Sequence, residues 1–207
     1  MTKYDYIIYT DGSCHGNPGV GGYAAIVLKK GKNGETVREM MFCGGDYYTT
    51  NNKMELTAVV KALDGLVKFG ETTDKRLLNV LIKTDSRYVA NQINRDDLVN
   101  YVKQKKRKNR DLWGALTTLT LFFNLEAEWI KGHAGDYMNE RCDKRANKEA
   151  CIVEQEEDAR LLIFKEILLE GPWIKPGHIV YKYGNISYDM AKKYIDLYNY
   201  HRFTEEN

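Results

Sequence analysis

Apolar and polar positions alternate in the first part of the chain in a way that predicts three strands and then a helix. The strands are expected at 4–10, 23–28 and 36–44, where β-branched and aromatic residues cluster. The glycine-rich segment 12–22 is expected to form a loop. From Asn52 to about Phe69 apolar residues recur at helical spacing, and Asn52 with Glu55 resembles a capping box. This order predicts a hairpin sheet followed by an amphipathic helix.

Farther along the chain, strands alternate with helices. Apolar runs predict strands at 77–84 and 125–131, and helical patterns occupy 86–93, 97–104 and 109–122. A last helix is predicted from near Asn139 to about Glu170, where Gly171 and Pro172 stop it. The fold class predicted is therefore α/β, with a five-stranded mixed sheet, antiparallel in its hairpin part and parallel elsewhere, flanked by helices.

The character of the chain changes near residue 150. Residues 1–150 are expected to form the α/β domain, and 151–207 a C-terminal extension that continues the last helix and packs on that domain. Residues 171–207 contain eight aromatic side chains and a short helix predicted from about Ser187. A stabilising tail and a surface that contacts a partner or nucleic acid both fit this composition.

Composition mainly excludes classes of protein. With 43% hydrophobic and 29% charged residues, the chain resembles a folded protein rather than a disordered one. No apolar run approaches the roughly 20 residues that span a bilayer. The first residues lack the layout of a signal peptide, and four cysteines are too few for a disulfide scaffold. A cytoplasmic setting without membrane attachment is therefore expected.

The net charge of +2 is unevenly distributed. Residues 151–207 carry 7 Lys+Arg and 10 Asp+Glu, a balance of −3, which leaves +5 on residues 1–150. Within 103–110 six of eight residues are basic. Such a cluster is either a solvated face or a nucleic-acid contact, and its composition alone leaves both open.

Four acidic residues stand in phase with apolar neighbours. They lie at two strand ends and on two helix stripes: Asp11, Glu55, Asp85 and Asp143. Each has a structural explanation when taken alone, as a turn residue, a helix cap or an ion-pair partner. Buried carboxylates need cations or hydrogen-bond donors, and four of them without a cysteine or histidine cage favour Mg²⁺ or Mn²⁺. These cations commonly act with phosphate substrates.

The chain resembles type 1 ribonuclease H (the ribonuclease HI family). Five blocks carry the resemblance in the family's order: YTDGSCHGNPGVGGYA (9–24), TTNNKMELTAVVKAL (49–63), KTDSRYV (83–89), DLW (111–113) and WIKGHAGDYMNERCDKRAN (129–147). They span about 150 residues, and each of the four acids lies in one of them.

The resemblance implies an endoribonuclease that hydrolyses the RNA strand of RNA–DNA hybrids, with 5′-phosphate and 3′-hydroxyl ends. Two Mg²⁺ ions, with Mn²⁺ as a possible replacement, would be held by the same four acids. His133, in the loop Gly132–Gly135, would assist proton transfer or product departure; without the motif it would be an exposed loop histidine.

The resemblance also implies contacts with the hybrid. The sugar-edge, minor-groove and phosphate contacts would come from Gly12, Cys14, Gly16, Asn17, Thr50, Asn51, Asn52, Lys53, Arg87 and Asn139. Arg87 stands where the family commonly has a glutamine. A helix and loop that form a basic handle in the family would contribute Lys105, Lys106, Arg107, Lys108, Arg110 and Trp113. Trp113 fits the hydrophobic core nearly as well.

Two other functions compete with this one. One is a nuclease of the same superfamily, such as a resolvase or an integrase core, although that leaves GHAG and NNKMEL together unexplained. The other is a non-catalytic module that binds RNA–DNA hybrids, against which the four intact acids argue. The protein is expected to act as a monomer, and the sequence leaves open whether it has a protein partner.

Overall fold

The computed structural model describes residues 3–71, 77–95, 97–104 and 106–205. It contains two compact units, Met1–Val153 and Glu154–Asn207. The strands are β1 (Tyr6–His15), β2 (Gly19–Lys30), β3 (Thr36–Thr49), β4 (Leu78–Thr84) and β5 (Phe123–Trp129). The helices are α1 (Asn51–Lys68), α2 (Arg87–Ile93), α3 (Leu98–Lys103), α4 (Arg110–Leu119), α5 (Tyr137–Glu170), α6 (Pro176–Tyr183) and α7 (Tyr188–Glu205). Across the described residues, no helix has the length and apolar character needed to cross a bilayer.

The five strands form one mixed sheet in the order β3-β2-β1-β4-β5. The pairs β1–β2 and β2–β3 are antiparallel, and β1–β4 and β4–β5 are parallel. One face of the sheet packs on α1, α2 and α4 through residues such as Ile8 and Val27. The other face packs on the first turns of α5, where Ile26 meets Cys142. The predicted α/β class and mixed sheet are confirmed.

The prediction of a loop over 12–22 was wrong. β1 continues to His15 and β2 begins at Gly19, so most of this segment is hairpin. Gly16 forms the turn with φ +88°, whereas Gly22 serves close packing: a Cβ on Gly22 would lie 2.2 Å from the carbonyl oxygen of Ala146 in α5. A side chain there would separate the helix from the sheet.

The capping box expected at Asn52 was also wrong. Thr50 caps α1, and its hydroxyl accepts a hydrogen bond from the Lys53 amide at 3.4 Å. Asn52 lies in the first turn of the helix and is exposed. Glu55 is buried one turn into α1, so its carboxylate is available for a different role.

Trp113 belongs to the core of the first unit, with no exposed surface. Its ring packs edge-on against Tyr88 and Tyr101, with centroids 5.6 Å away in both pairs. Its indole Nε1 donates to the Tyr88 hydroxyl at 2.7 Å. The prediction that Trp113 contacts the substrate was therefore wrong, because the side chain is enclosed and its polar atom is already bonded.

The second unit consists of the C-terminal half of α5 with α6 and α7. The sequence pattern predicted no helix at 176–183, where α6 forms with Pro176 in its first turn, and α7 has 18 residues rather than a few. Glu166 of α5 is buried within this unit and accepts from Lys182 at 2.7 Å and from Tyr183 at 2.5 Å. The packing of this unit on the α/β domain stays a prediction.

Candidate active site

Three of the predicted acids meet beside the middle of β1, at the point where the neighbouring strand β4 ends. Each of Asp11, Glu55 and Asp85 offers a carboxylate oxygen, and these oxygens lie within 4.8 Å of one another. The parallel pairing of β1 with β4 aligns Thr10 with Thr84, so the next residue of each strand is an aspartate at the same edge of the sheet. Glu55 reaches this edge from α1.

Gly12 allows α1 to lie against the middle of β1. A Cβ at this position would be 2.3 Å from the Glu55 amide nitrogen and 2.7 Å from the Met54 carbonyl carbon. The Gly12 amide donates to Asp11 Oδ1 at 2.8 Å. Gly12 is buried, and the absence of a side chain there lets Asp11 and Glu55 lie side by side.

The protein supplies few hydrogen-bond donors to offset the negative charge of these acids. Burial, the Asp85 charge and Asp143 raise the pKa of Asp11 to about 8, although the hydrogen bond from the Gly12 amide lowers it. Burial and the charges of Asp11 and Asp85 also raise the pKa of Glu55 well above its ordinary value. Asn51 donates to Glu55 Oε1 at 3.3 Å, while Glu55 Oε2 is buried without a partner among the described residues.

Asp85 is in a similar environment at the end of β4. Burial raises the pKa of Asp85, and the Asp143 charge adds to that increase, whereas His133 and a hydrogen bond from Asn139 lower it. Asn139 is buried, so it supports Asp85 from within the fold. The prediction of a direct substrate contact for Asn139 is wrong for this structure, because only 2% of the residue is exposed.

Asp143 and His133 complete the group of predicted catalytic residues. Asp143 lies in α5 beside Asp11, whose pKa it helps to raise. His133 Nδ1 is 3.8 Å from Asp143 Oδ2, and its imidazole is 80% exposed. The backbone of His133 has φ +51° and that of Gly135 +86°, which gives this loop a tight, left-handed course.

The donor set fits divalent cations. Oxygen ligands from several carboxylates suit Mg²⁺ and Mn²⁺, and a cation would satisfy the orphaned Glu55 Oε2 and offset the repulsion that raises the pKa values of Asp11 and Glu55. The four acids therefore constitute a candidate metal centre.

A cleft of about 560 Å³ is formed by residues from several elements. Its lining includes three predicted contact residues, Asn17, Thr50 and Asn52. It also includes Pro18, Tyr88, Lys108 and Asn109. Sequence reasoning missed Tyr88 and Asn109, although Tyr88 lies only three residues after Asp85 in the chain. The Asn109 side chain donates to the Tyr88 hydroxyl at 3.2 Å.

The other predicted contact residues are distributed differently. Gly16 is exposed in the β1–β2 turn, and the Cys14 thiol donates to the backbone oxygen of Thr49 at 3.5 Å. Lys53 is held by Asp46 at 2.8 Å. Lys106, Arg107, Lys108 and Arg110 are exposed, as a phosphate-binding surface requires, and Lys105 lies outside the described residues.

A mixed five-stranded sheet with carboxylates gathered beside its parallel strands β1 and β4 defines a nuclease of the ribonuclease H-like fold. The family model described as RNase H matches residues 3–151. The chain therefore belongs to the ribonuclease H family, and it is an enzyme of that family, a hydrolase acting on RNA in RNA–DNA hybrids.

Individual relatives agree with this assignment. The ribonuclease H of Francisella philomiragia is 40% identical over 153 residues, which are 70% of this chain and 91% of that protein. LC9-RNase H1, described as a type 1 enzyme with the type 2 active-site motif, is 27% identical with a TM-score of 0.60, over 72% of this chain and 74% of that one. LC11-RNase H1, solved in complex with an RNA/DNA hybrid, is 25% identical with a TM-score of 0.52, over 69% and 94%. The resemblance to type 1 ribonuclease H is confirmed.

Proposed function

We propose that this protein is an endonuclease that cleaves the RNA strand of RNA–DNA hybrids by hydrolysis with two divalent cations, Mg²⁺ or alternatively Mn²⁺, and leaves 5′-phosphate and 3′-hydroxyl ends. The observation that carries the proposal is the convergence of three carboxylates within 4.8 Å in a ribonuclease H domain. The hybrid complex of the related LC11-RNase H1 supports the choice of substrate.

Asp11, Glu55, Asp85 and Asp143 would hold the cations. Divalent cations bound between carboxylates and a phosphodiester lower the pKa of a bound water and stabilise negative charge on the departing oxygen. The protein's part is to keep the four acids in one arrangement. The Gly12 amide fixes Asp11, and Asn51 and Asn139 hold Glu55 and Asp85.

His133 is suited to moving a proton at the edge of this centre. Its imidazole is exposed and 3.8 Å from Asp143, so it can reach solvent on one side and the acids on the other. An imidazole accepts and releases protons near neutral pH. His133 would therefore take part in proton transfer or in the departure of the cleaved phosphate.

Substrate binding would involve the cleft and the basic segment. Asn17, Thr50 and Asn52 present neutral donors and acceptors for 2′-hydroxyl and backbone contacts. The exposed side chains of Lys106, Arg107 and Lys108 would bind phosphates without regard to sequence, so that affinity decreases with salt.

The test is cleavage of a labelled RNA–DNA hybrid with and without Mg²⁺, beside single-stranded RNA and double-stranded RNA. We expect cation-dependent cutting of the hybrid's RNA strand, lost in Asp11→Asn and retained in the matched variant Asp158→Asn, which removes an exposed aspartate of the second unit. Hybrid binding without cutting, whether Mg²⁺ or Mn²⁺ is added, would instead indicate a module that binds hybrids without cleaving them. Cutting of double-stranded RNA at the same rate would contradict the proposed specificity.

A further inference from the structure

A histidine at the tip of the β1–β2 hairpin is hydrogen-bonded to the helix α5. His15 is the last residue of β1 and pairs with Val20 of β2, so the turn 16–18 begins directly after it. Its Nε2 lies 2.9 Å from the side-chain Oδ1 of Asn147 in α5. An amide oxygen only accepts hydrogen bonds, so the imidazole donates, through a proton on Nε2. The tip of the hairpin is therefore tied to α5 by a bond between two side chains.

The two ends of this bond lie next to residues of the proposed site. His15 stands two residues before Asn17, which lines the cleft. Asn147 follows Asp143 by four residues in α5, so these two side chains lie one turn apart on the same side of the helix. The bond therefore joins the turn that carries a cleft residue to the helix that carries a predicted cation ligand.

The turn is anchored toward both helices that carry predicted acids. Toward α1, Asn17 Oδ1 accepts a hydrogen bond from the Asn51 amide at 3.0 Å. Toward α5, the anchor is the bond between His15 and Asn147. Residues 16–18 are exposed and lie beyond the last paired residues of β1 and β2, so burial and sheet pairing constrain them little. Side-chain hydrogen bonds therefore contribute strongly to the placement of Asn17.

We infer that His15 and Asn147 are positioning residues for the hybrid, because their hydrogen bond holds Asn17 of the cleft at a fixed distance from Asp143 of the candidate metal centre. The inference rests on the proposed function. A substrate that contacts both places binds more tightly when they are already correctly spaced, since less conformational freedom is lost on binding. Neither positioning residue has to touch the hybrid for this effect.

The bond is too exposed to contribute much to folding. Asn147 is exposed and His15 is only partly buried. A neutral hydrogen bond at the surface replaces hydrogen bonds to water, so its net contribution to the free energy of unfolding is small. Its loss should therefore change the affinity for the hybrid far more than the unfolding midpoint, which separates positioning from a general structural role.

The first test compares cleavage of the hybrid in Mg²⁺ by full-length wild type, Asn147→Ala and Asn124→Ala. Asn124→Ala is the matched control, because it removes another exposed side-chain bond, to Asn79, at the opposite end of β4 and β5 from Asp85. We expect Asn147→Ala to raise KM about five-fold, which corresponds to about 1 kcal/mol, with kcat within about two-fold. The control should leave both constants unchanged, and the unfolding midpoints of the two variants should agree within about 2 °C.

Substitutions of the histidine test the bond from its other end. His15→Gln keeps a side-chain N–H that can donate to Asn147, whereas His15→Ala has none. We expect KM of the glutamine variant within about two-fold of wild type, and KM of the alanine variant raised at least about five-fold. The double variant of His15→Ala with Asn147→Ala should have the KM of His15→Ala alone, since both changes remove one contact. KM effects that multiply in the double variant would refute the pairing.

A further comparison decides whether the bond acts through the cleft. In an Asn17→Ala background, Asn147→Ala should change KM by less than about two-fold, because the side chain that it positions is gone. A full five-fold effect in that background would overturn the inference.

Failure of the inference and failure of the proposed function give different results. If wild type cuts hybrids and Asn147→Ala behaves like Asn124→Ala, only the positioning inference is wrong. If wild type binds hybrids but does not cut them, the proposed function fails. Hybrid affinity, measured by fluorescence anisotropy in Ca²⁺, then replaces KM in the same comparisons and still decides the role of His15 and Asn147.

Discussion

Removal of one acid should stabilise the protein when no divalent cation is present. Burial and neighbouring charges raise the pKa of Asp11 from 3.8 to about 8. Between these values the folded state retains a proton that the unfolded state has released, so the wild-type free energy of unfolding decreases as pH rises through this window. Below pH 3.8 both states are protonated and the penalty is absent. Asp11→Asn removes the titration and hence this source of pH dependence.

The magnitude follows from the size of the shift. One pKa unit corresponds to about 1.4 kcal/mol, and Asp11 is only 7% exposed, so solvent screens the effect little. Between pH 5.5 and 7.5 the advantage of Asp11→Asn over wild type should therefore grow by up to about 3 kcal/mol. For a chain of this size that is on the order of 6–12 °C in Tm. Burying the side-chain amide of the Asp11→Asn variant changes its free energy of unfolding by an amount that does not depend on pH. This amount cancels, because the prediction concerns only how the difference from wild type changes with pH.

The assay is thermal unfolding in EDTA at several pH values, followed by circular dichroism for wild type, Asp11→Asn and Asp158→Asn. Asp158→Asn shows how much of the trend comes from charge removal alone. Addition of Mg²⁺ at pH 7.5 should stabilise wild type more than Asp11→Asn, since cation binding to the folded state is lost with the ligand. An advantage of Asp11→Asn that stays constant or shrinks as pH rises would refute the reasoning.

Three further changes test the packing around the site and the division of the chain. Gly12→Ala places a Cβ against the backbone of α1 and should cost about 1–3 kcal/mol in urea unfolding together with most of the hybrid cleavage; Gly177→Ala, with nothing within 4 Å of its Cβ, should cost neither. Trp113→Phe removes the hydrogen bond to Tyr88 and should lower stability by about 1–2 kcal/mol while kcat on the hybrid is retained; an unchanged unfolding midpoint would contradict this. The fragment 1–153 contains all residues of the proposed site and should keep cation-dependent cleavage, and loss of cleavage by a folded fragment would assign an essential contribution to the second unit.

The candidate acids could be predicted because their local signals are strong. Asp11 and Asp85 each follow an apolar run of residues, and Glu55 interrupts the apolar stripe of α1. Burial of such residues without partners is costly, so their placement in apolar phase pointed to a shared ligand before any contact was visible. Asp143 stood out in the same way on the apolar stripe of the last helix, whereas His133 was assigned only by the resemblance of the ordered motifs.

Errors arose where a residue type has two structural uses. The glycines in 12–22 were interpreted as turn formers, but Gly12 and Gly22 are positions where a helix backbone approaches a strand. Trp113 lies in a motif linked to substrate binding, yet it is enclosed by Tyr88 and Tyr101. Close packing between distant segments decides both cases, and periodicity carries no information about it.

The sequence by itself determined the family, the α/β class and the order of the elements up to α5, and it singled out the candidate acids, because hydrophobic period and motif spacing are local properties of the chain. Only the tertiary structure decided that β1 pairs in parallel with β4, which brings Asp11 and Asp85 to the same edge of the sheet. It also decided that Trp129 lies under Arg87, although 41 intervening residues separate them in the chain. Contacts of this kind depend on register and on three-dimensional packing, where many distant segments must fit at once.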